Sequence, residues 1–138
     1  MGFTLAQKST IDHIVEVVSA GSLAPEPVLL PAEIINGLEG DGIEPQEIYK
    51  IIGPKDELLR LVDDHDTLSL DQTERAARLA HIVKLAEAVF GKKEKAFLWL
   101  RCPNPELGNR QPLECLGRES AARAVEEALT RIDYGIIG

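Results

Sequence analysis

Aromatic residues are scarce in this 138-residue chain, at 4%, with one Trp, two Tyr and three Phe. An interior must therefore be built from Leu, Ile, Val and Ala, which favours helix packed on helix. Cysteine is scarcer still. Cys102 and Cys115, with three His in the whole chain, supply neither a disulfide framework nor a zinc-ligand set, and both are read as reduced, small buried hydrophobes. No apolar run approaches the roughly 20 residues that span a bilayer, and the opening MGFTLAQKSTIDH lacks the charged-then-apolar profile of a signal peptide. Met1-Gly2-Phe3 begins like a myristoylation site, but Ala6 stands where Ser or Thr is required. A cytoplasmic protein is expected.

A basic excess is also missing. The formal net charge is −8, and it is unevenly spread. Residues 1–40 carry one basic and five acidic side chains, residues 41–72 three and nine, and residues 73–138 eleven and nine. The acidic front repels nucleic-acid phosphate, so DNA contact has to come from a local basic patch or from an assembly. Triad spacings, a phosphate-cradling Gly-rich loop and a dinucleotide fingerprint are absent; GLEGDG has the glycines but no strand before it. No catalytic residue, metal ligand or cofactor is assigned. Strand-like alternation never runs beyond a few residues, and there is no internal repeat or low-complexity tract.

What is present is helical periodicity. In STIDHIVEVVSAG, Ser9 caps a helix over about residues 10–20 with Ile11, Ile14, Val15 and Val18 on one face and Gly21 as its stop. SLAPEPVLLP is a linker, after which Pro31 opens a short helix bearing Ile34, Ile35 and Leu38, ended by Gly40 and Gly42. Pro45 starts a helix with Ile48, Ile51 and Ile52, Gly53-Pro54 breaks it, and a second helix carries Leu58, Leu59 and Val62. Two short helices joined by a tight turn are the local pattern of a helix-turn-helix, whose second helix enters the major groove. Ser69 and Gln72 have capping-box spacing, Leu79, Ile82, Val83, Ala86, Val89 and Phe90 form a stripe, and Gly91 is the stop. KKEKAFLWLRC makes a shorter helix ending before Pro103. PNPELGNRQP is a loop, PLECL a turn opened by Pro112 and closed by Gly117, and ESAARAVEEALTRIDYG a last helix with Ala121, Val125, Ala128, Leu129 and Ile132 inward. The expected class is all-α.

The run Asp63, Asp64, His65, Asp66 crowds potential metal ligands together, but consecutive positions at a helix end point in different directions, so it is read as a solvated helix terminus. His13 and His81 have no carboxylate, Ser or Cys at a telling spacing and are read as core-edge residues.

The C-terminal third carries a more specific pattern. VFG at a helix end, then WL, R-x-PN, LG-x-R-x-PL and a closing V-x-x-x-L-x-R-I-x-YG follow one another over residues 86–135. In these features the chain resembles the toxin-binding domain of the MbcA/ParS/Xre antitoxin family. It departs in small ways: Cys102 stands where Thr or Ser is usual, and Ala121 where the last helix often begins near a glycine. The resemblance implies an Xre-like helix-turn-helix domain over residues 1–72 that binds operator DNA, and a toxin-binding domain over residues 73–138. It implies a toxin of the RES type, NAD-consuming or ADP-ribosylating, whose active-site cleft receives the antitoxin's C-terminal end, and an antitoxin that is itself no enzyme.

Carried over residue by residue, the interaction segment falls on Trp99, Leu100, Arg101, Pro103, Asn104, Pro105, Leu107, Gly108, Arg110 and Pro112, and the terminal plug on Arg131, Tyr134, Gly135, Ile136 and Ile137. The residues agree in kind. A proline-rich loop has little entropy to lose on docking, and Trp beside Arg is hot-spot composition; Trp99 serves equally as a core anchor. Family members often carry an arginine-bearing recognition helix, whereas PKDELLRLVDDHDTLSLDQ has Lys55 and Arg60 among six acids. Phosphate contacts are therefore expected from Lys50, Lys55, Arg60, Arg75 and Arg78, with a homodimer doubling their number. The expected function is a type II antitoxin that occludes its toxin and represses its own operon. The alternative is a free-standing helix-turn-helix repressor.

Overall fold

Each helical period read from the sequence appears as a helix. The computed structural model describes residues 9–21 and 25–135, and forms α1 (Thr10–Gly21), α2 (Ile34–Gly40), α3 (Pro45–Ile51), α4 (Lys55–Asp63), α5 (Leu70–Phe90), α6 (Lys93–Leu100) and α7 (Glu119–Asp133), with 3-10 turns at Pro105–Leu107 and Pro112–Gly117. Pairing of strand type is limited, among the described residues, to two isolated bridges, Pro31 with Thr67 and Asn104 with Arg110. The fold is all-α. Met1, Gly2 and Phe3, part of the linker (Ser22, Leu23, Ala24) and the terminal Ile136, Ile137 and Gly138 lie outside the described residues.

The 21-residue α5 is the element against which α1, α6, α7 and the second 3-10 turn pack. Its start is the predicted capping box: the Ser69 hydroxyl accepts from the Gln72 amide at 3.1 Å, and the Gln72 side chain accepts from the Ser69 amide at 2.9 Å. Its end is Gly91 at φ 77°, the left-handed cap that glycine adopts without a Cβ penalty. Between them Ala76, Leu79, Ala80, Ile82, Val83 and Ala86 are buried. Full burial of one Leu or Ile stabilises by about 1.5–3 kcal/mol, and here the small alanines let neighbouring helices approach. The core is continuous: Ile14 of α1, Leu38 of α2, Ile48 of α3, Leu58 of α4, Leu100 of α6 and Leu129 of α7 belong to one cluster.

Long-range polar contacts fix the outer elements. Asp41 accepts from the Ile11 amide at 2.8 Å and Ser9 from the Asp12 amide at 3.0 Å, so two side chains satisfy the open end of α1. Gly37 lets α2 lie against that end; a Cβ there would stand 1.9 Å from Thr10 Oγ1. Thr73, buried on α5, accepts from the Leu30 amide at 3.1 Å.

Several details differ from the sequence reading. Pro31 does not open α2: it sits in the bridge with Thr67, held by Ala32 N–H to Asp66 O at 2.9 Å and Leu68 N–H to Leu30 O at 2.8 Å, and α2 begins three residues later. In α7 Ala122 rather than Ala121 is buried, together with Val125, Ala128 and Leu129 as expected, and Ile132 is 38% exposed. Leu59 is 41% exposed on α4. Cys102 lies past the end of α6 and is exposed, while Cys115 is buried, donating to Gln111 O at 3.5 Å, with burial pushing its thiol up despite Arg110. His13 and His81 are exposed rather than tucked at the core edge, and His81 does have a carboxylate partner, Glu126 of α7 at 2.6 Å. Asp63–Asp66 forms the unwinding end of α4, with His65 at φ 52° and Asp66 accepting from its neighbour Thr67 at 2.7 Å.

Candidate functional site

The loop after α6 is built around Asn104. Its side chain accepts from the Glu106 amide at 2.9 Å, its carbonyl accepts from the amides of Leu107 and Asn109 at 2.9 Å each, and its own amide donates to Arg110 O at 3.0 Å. One asparagine thus closes residues 104–110 on themselves. Gly108 at φ 68° and Asn109 at φ 63° turn the chain in the left-handed region, which glycine and asparagine tolerate best. Pro105 at the first 3-10 position pre-sets the backbone. The result is a loop with little conformational freedom to lose on docking.

Glu106 then ties this loop to the far end of α7 through an ion pair with Arg131. Tyr134 follows Arg131 by three residues, one turn further along the same side of the helix, and is 76% exposed. Gly135 at φ 74° ends the helix. The exposed residues Pro103, Pro105, Gly108 and Arg110, the half-buried Asn104 and Leu107, and the α7 end bearing Arg131, Tyr134 and Gly135 are thereby joined at one end of the molecule.

The other residues expected in this interface face inward. Leu100 is fully buried, and Pro112 is buried as the first residue of the second 3-10 turn. Trp99 is half-buried, packed on the core with its ring 5.9 Å from that of Phe90. Arg101 is bound within the chain: Nε and Nη2 donate to the two oxygens of Glu47 at 2.8 Å each, and Nη2 donates to Gly42 O at 2.7 Å. Its guanidinium also covers the Phe97 ring at 4.7 Å. Burial pushes the Glu47 carboxyl up, but Arg101 and the Glu44 amide outweigh it and hold Glu47 below its ordinary range. Ile136 and Ile137 lie outside the described residues.

Glu106 carries no sequence signal, and Glu47 shows only a local one, as the third residue of the Pro45-opened helix that accepts from the Glu44 amide at 2.9 Å, with nothing that points to Arg101. Leu98 does carry a signal. With Ala96, Phe97 and Leu100 buried, helical period turns Leu98 outward, and it is 74% exposed.

The five cations expected to meet phosphate fall into two groups. Lys55 and Arg60 are exposed on α4 without a partner among the described residues. Lys50 is paired with Glu114 at 2.7 Å and Arg75 with Asp71 at 2.9 Å. Arg78 donates to the carbonyls of Leu116 and Gly117 at 3.3 and 3.1 Å.

Comparison with known proteins places this surface in context. Residues 85–135 match the family described as the antitoxin Xre/MbcA/ParS C-terminal toxin-binding domain. The chain is similar to the antitoxin Xre of Pseudomonas putida, 34% identical over 93 residues, 67% of this chain and 58% of that relative. It is also similar to the antitoxin Xre of Yersinia enterocolitica, 30% identical over 92 residues, 65% of this chain and 62% of that relative. The chain thus spans less than two thirds of the length of the relatives it matches.

Proposed function

Residues 85–135 make this chain a member of the Xre/MbcA/ParS antitoxin family through the toxin-binding domain, and on that premise we propose that it neutralises a toxin by docking the 104–110 loop and the end of α7 against it. The observation that carries this reading is the Glu106–Arg131 pair, which couples a preorganised loop to an exposed Tyr134. A rigid surface loses little entropy on docking, and a Tyr with a large exposed body is hot-spot chemistry.

The toxin is of the RES type, consuming NAD or transferring ADP-ribose from it, and residues 134–138 occlude its active-site cleft. Catalysis belongs to that partner, and the site of action is the cytoplasm. Autorepression completes the proposal, with a homodimer presenting two copies of α3 and α4 to operator DNA and with Lys55 and Arg60, which have no partner among the described residues, as phosphate contacts. The rival, a repressor with no toxin partner, leaves the exposed Tyr134 and the preorganised loop without a role.

The test is co-expression with the product of the neighbouring reading frame, affinity purification and an NAD-consumption assay. Co-purification with suppressed NAD loss, and release of that activity on deleting residues 134–138 with the chain still folded, is the expected result. Full inhibition by the shortened chain would remove the plug. No co-purifying partner would remove the antitoxin role and leave the repressor.

A further inference from the structure

Four arginines from two elements line one open pocket of about 700 Å3: Arg75 and Arg78 on α5, and Arg118 and Arg123 at the start of α7. Their charges are compensated unequally. Arg75 and Arg123 pair with Asp71 and Glu119 at i,i+4 spacing on the surface, contacts that contribute little and exchange readily. Arg78 spends its hydrogen bonds on neutral carbonyl oxygens, and Arg118 has no carboxylate partner among the described residues. Two guanidinium charges therefore stand open on the same pocket, and Glu74 is its remaining acid.

The 15-residue α7 opens into the pocket as well. Its N-cap is Arg118, whose side chain makes no cap hydrogen bond, and Ser120 lines the wall beside it. Uncapped first-turn amides and arginines together suit an anion with several acceptor oxygens.

Location selects the kind of anion. The last turn of α3 abuts Gly117 on the pocket's edge; a Cβ on Gly117 would stand 3.2 Å from Ile51 O and 3.5 Å from Arg75 Nη1. On the other side Gly53, in the turn between α3 and α4, approaches Gln72 of α5, 3.1 Å from its would-be Cβ. The pocket thus adjoins the last turn of α3, the first helix of the helix-turn-helix candidate.

We infer that this pocket receives phosphate groups of a DNA backbone, so that the toxin-binding domain, through Arg118 and Arg123, supplies part of the operator contact. The inference rests on the autorepression reading above. It resolves a difficulty of an acidic front half, because cations additional to Lys55 and Arg60 are contributed from α5 and α7, beside the last turn of α3.

The experiment measures fluorescence anisotropy of two labelled duplexes, the DNA upstream of this reading frame and a scrambled one of equal length. It uses the full chain, alone and bound to its toxin, over a salt series. R118Q/R123Q removes exposed side chains of the pocket; K55Q/R60Q serves as the α4 comparison, and circular dichroism confirms folding of each. The expected result is weaker binding of both duplexes by R118Q/R123Q, about tenfold or more. The slope of log affinity against log salt should fall by about 2, since each phosphate contact contributes about 0.9, with toxin capture unchanged. Wild-type binding that R118Q/R123Q reproduces in affinity and slope would overturn the inference and leave autorepression standing. No binding of either duplex by wild type, with or without toxin, would overturn both. In that case, saturable shifts of the Ser120 and Ala121 amide resonances on titrating inorganic phosphate would reassign the pocket to a free phosphate.

Discussion

Replacing Arg101 with Ala separates a strut from a contact. The side chain makes two hydrogen bonds to Glu47, one to Gly42 O, and lies over Phe97. Hydrogen bonds to a charged group contribute about 1.5–3 kcal/mol net, whereas a surface ion pair contributes at most about 1 kcal/mol. Arg101 is 32% exposed and Glu47 13%, so the pair sits between the surface and buried limits. Cover of the Phe97 ring adds about 0.5–1 kcal/mol. The loss is expected at about 2–3 kcal/mol, below the 3–5 kcal/mol seen when one partner of a fully buried pair is removed. For a chain of this size that lowers Tm by about 6–12 °C, read by calorimetry and by urea titration of the free chain. A double-mutant cycle with E47A sharpens the result: once Arg101 is gone, E47A should cost only what the bond from the Glu44 amide to Glu47 contributes, about 0.5–1.5 kcal/mol. R101K, which keeps the charge but not the forked geometry, should recover only part of the loss. A Tm within about 2 °C of wild type in R101A, with toxin affinity lost, would refute the strut and return Arg101 to the interface.

Three further outcomes follow from the same geometry. G37A places a methyl 1.9 Å from Thr10 Oγ1 and should destabilise by about 1–3 kcal/mol, with T10A/G37A partly restored in the same urea titration. Y134A removes a side chain that is 76% exposed, so Tm should stay within about 1 °C while toxin affinity, measured by calorimetric titration, falls at least tenfold; unchanged affinity would remove Tyr134 from the interface. Glu47 titrates below its ordinary value in the folded chain. Its contribution is therefore complete above the ordinary carboxylate pKa of about 4.3 and lost as pH falls through and below that value. The gap in urea midpoint between wild type and E47Q should be constant from pH 7 down to the ordinary carboxylate range and narrow progressively as pH falls below it, and a gap that widens on acidification would contradict the assignment.

Locally encoded features were legible in the sequence. The capping box at Ser69 and Gln72, the left-handed Gly91 and the apolar stripe of α5 each involve residues within a turn or two of one another, where spacing alone determines geometry. Phase errors arose where neighbours are chemically alike. Ala121 and Ala122 both fit an inward position, and only packing against α5 and the second 3-10 turn selects Ala122. Contacts between distant segments were illegible: Arg101 and Glu47 are 54 residues apart, and His81 and Glu126 are 45 apart. Nothing in their local sequence marks one as the other's partner. Pro31 illustrates the remaining kind of failure, a residue with two good local uses whose choice is decided by the chain running past it at residues 66–68.

The residues that the family resemblance assigns to the toxin therefore divide by what they touch in the free chain. Leu100, Pro112 and much of Trp99 are spent on the core, and Arg101 on Glu47 and Gly42. Substituting any of these disturbs the platform, so a lost toxin complex would not distinguish a missing contact from a displaced loop. Arg110 and Tyr134 have no such double duty, being exposed on a loop closed by Asn104 and on a helix end that the Glu106–Arg131 pair brings beside it. Glu106 divides the two effects most cleanly. E106Q keeps the size of the side chain and the backbone turn but removes the charge that holds Arg131, so folding of the core should survive while the link between the loop and the end of α7 is loosened by at most about 1 kcal/mol. If toxin affinity depends on those two pieces being presented together, E106Q should weaken it, and restraining loop and helix with an engineered cross-link should restore it.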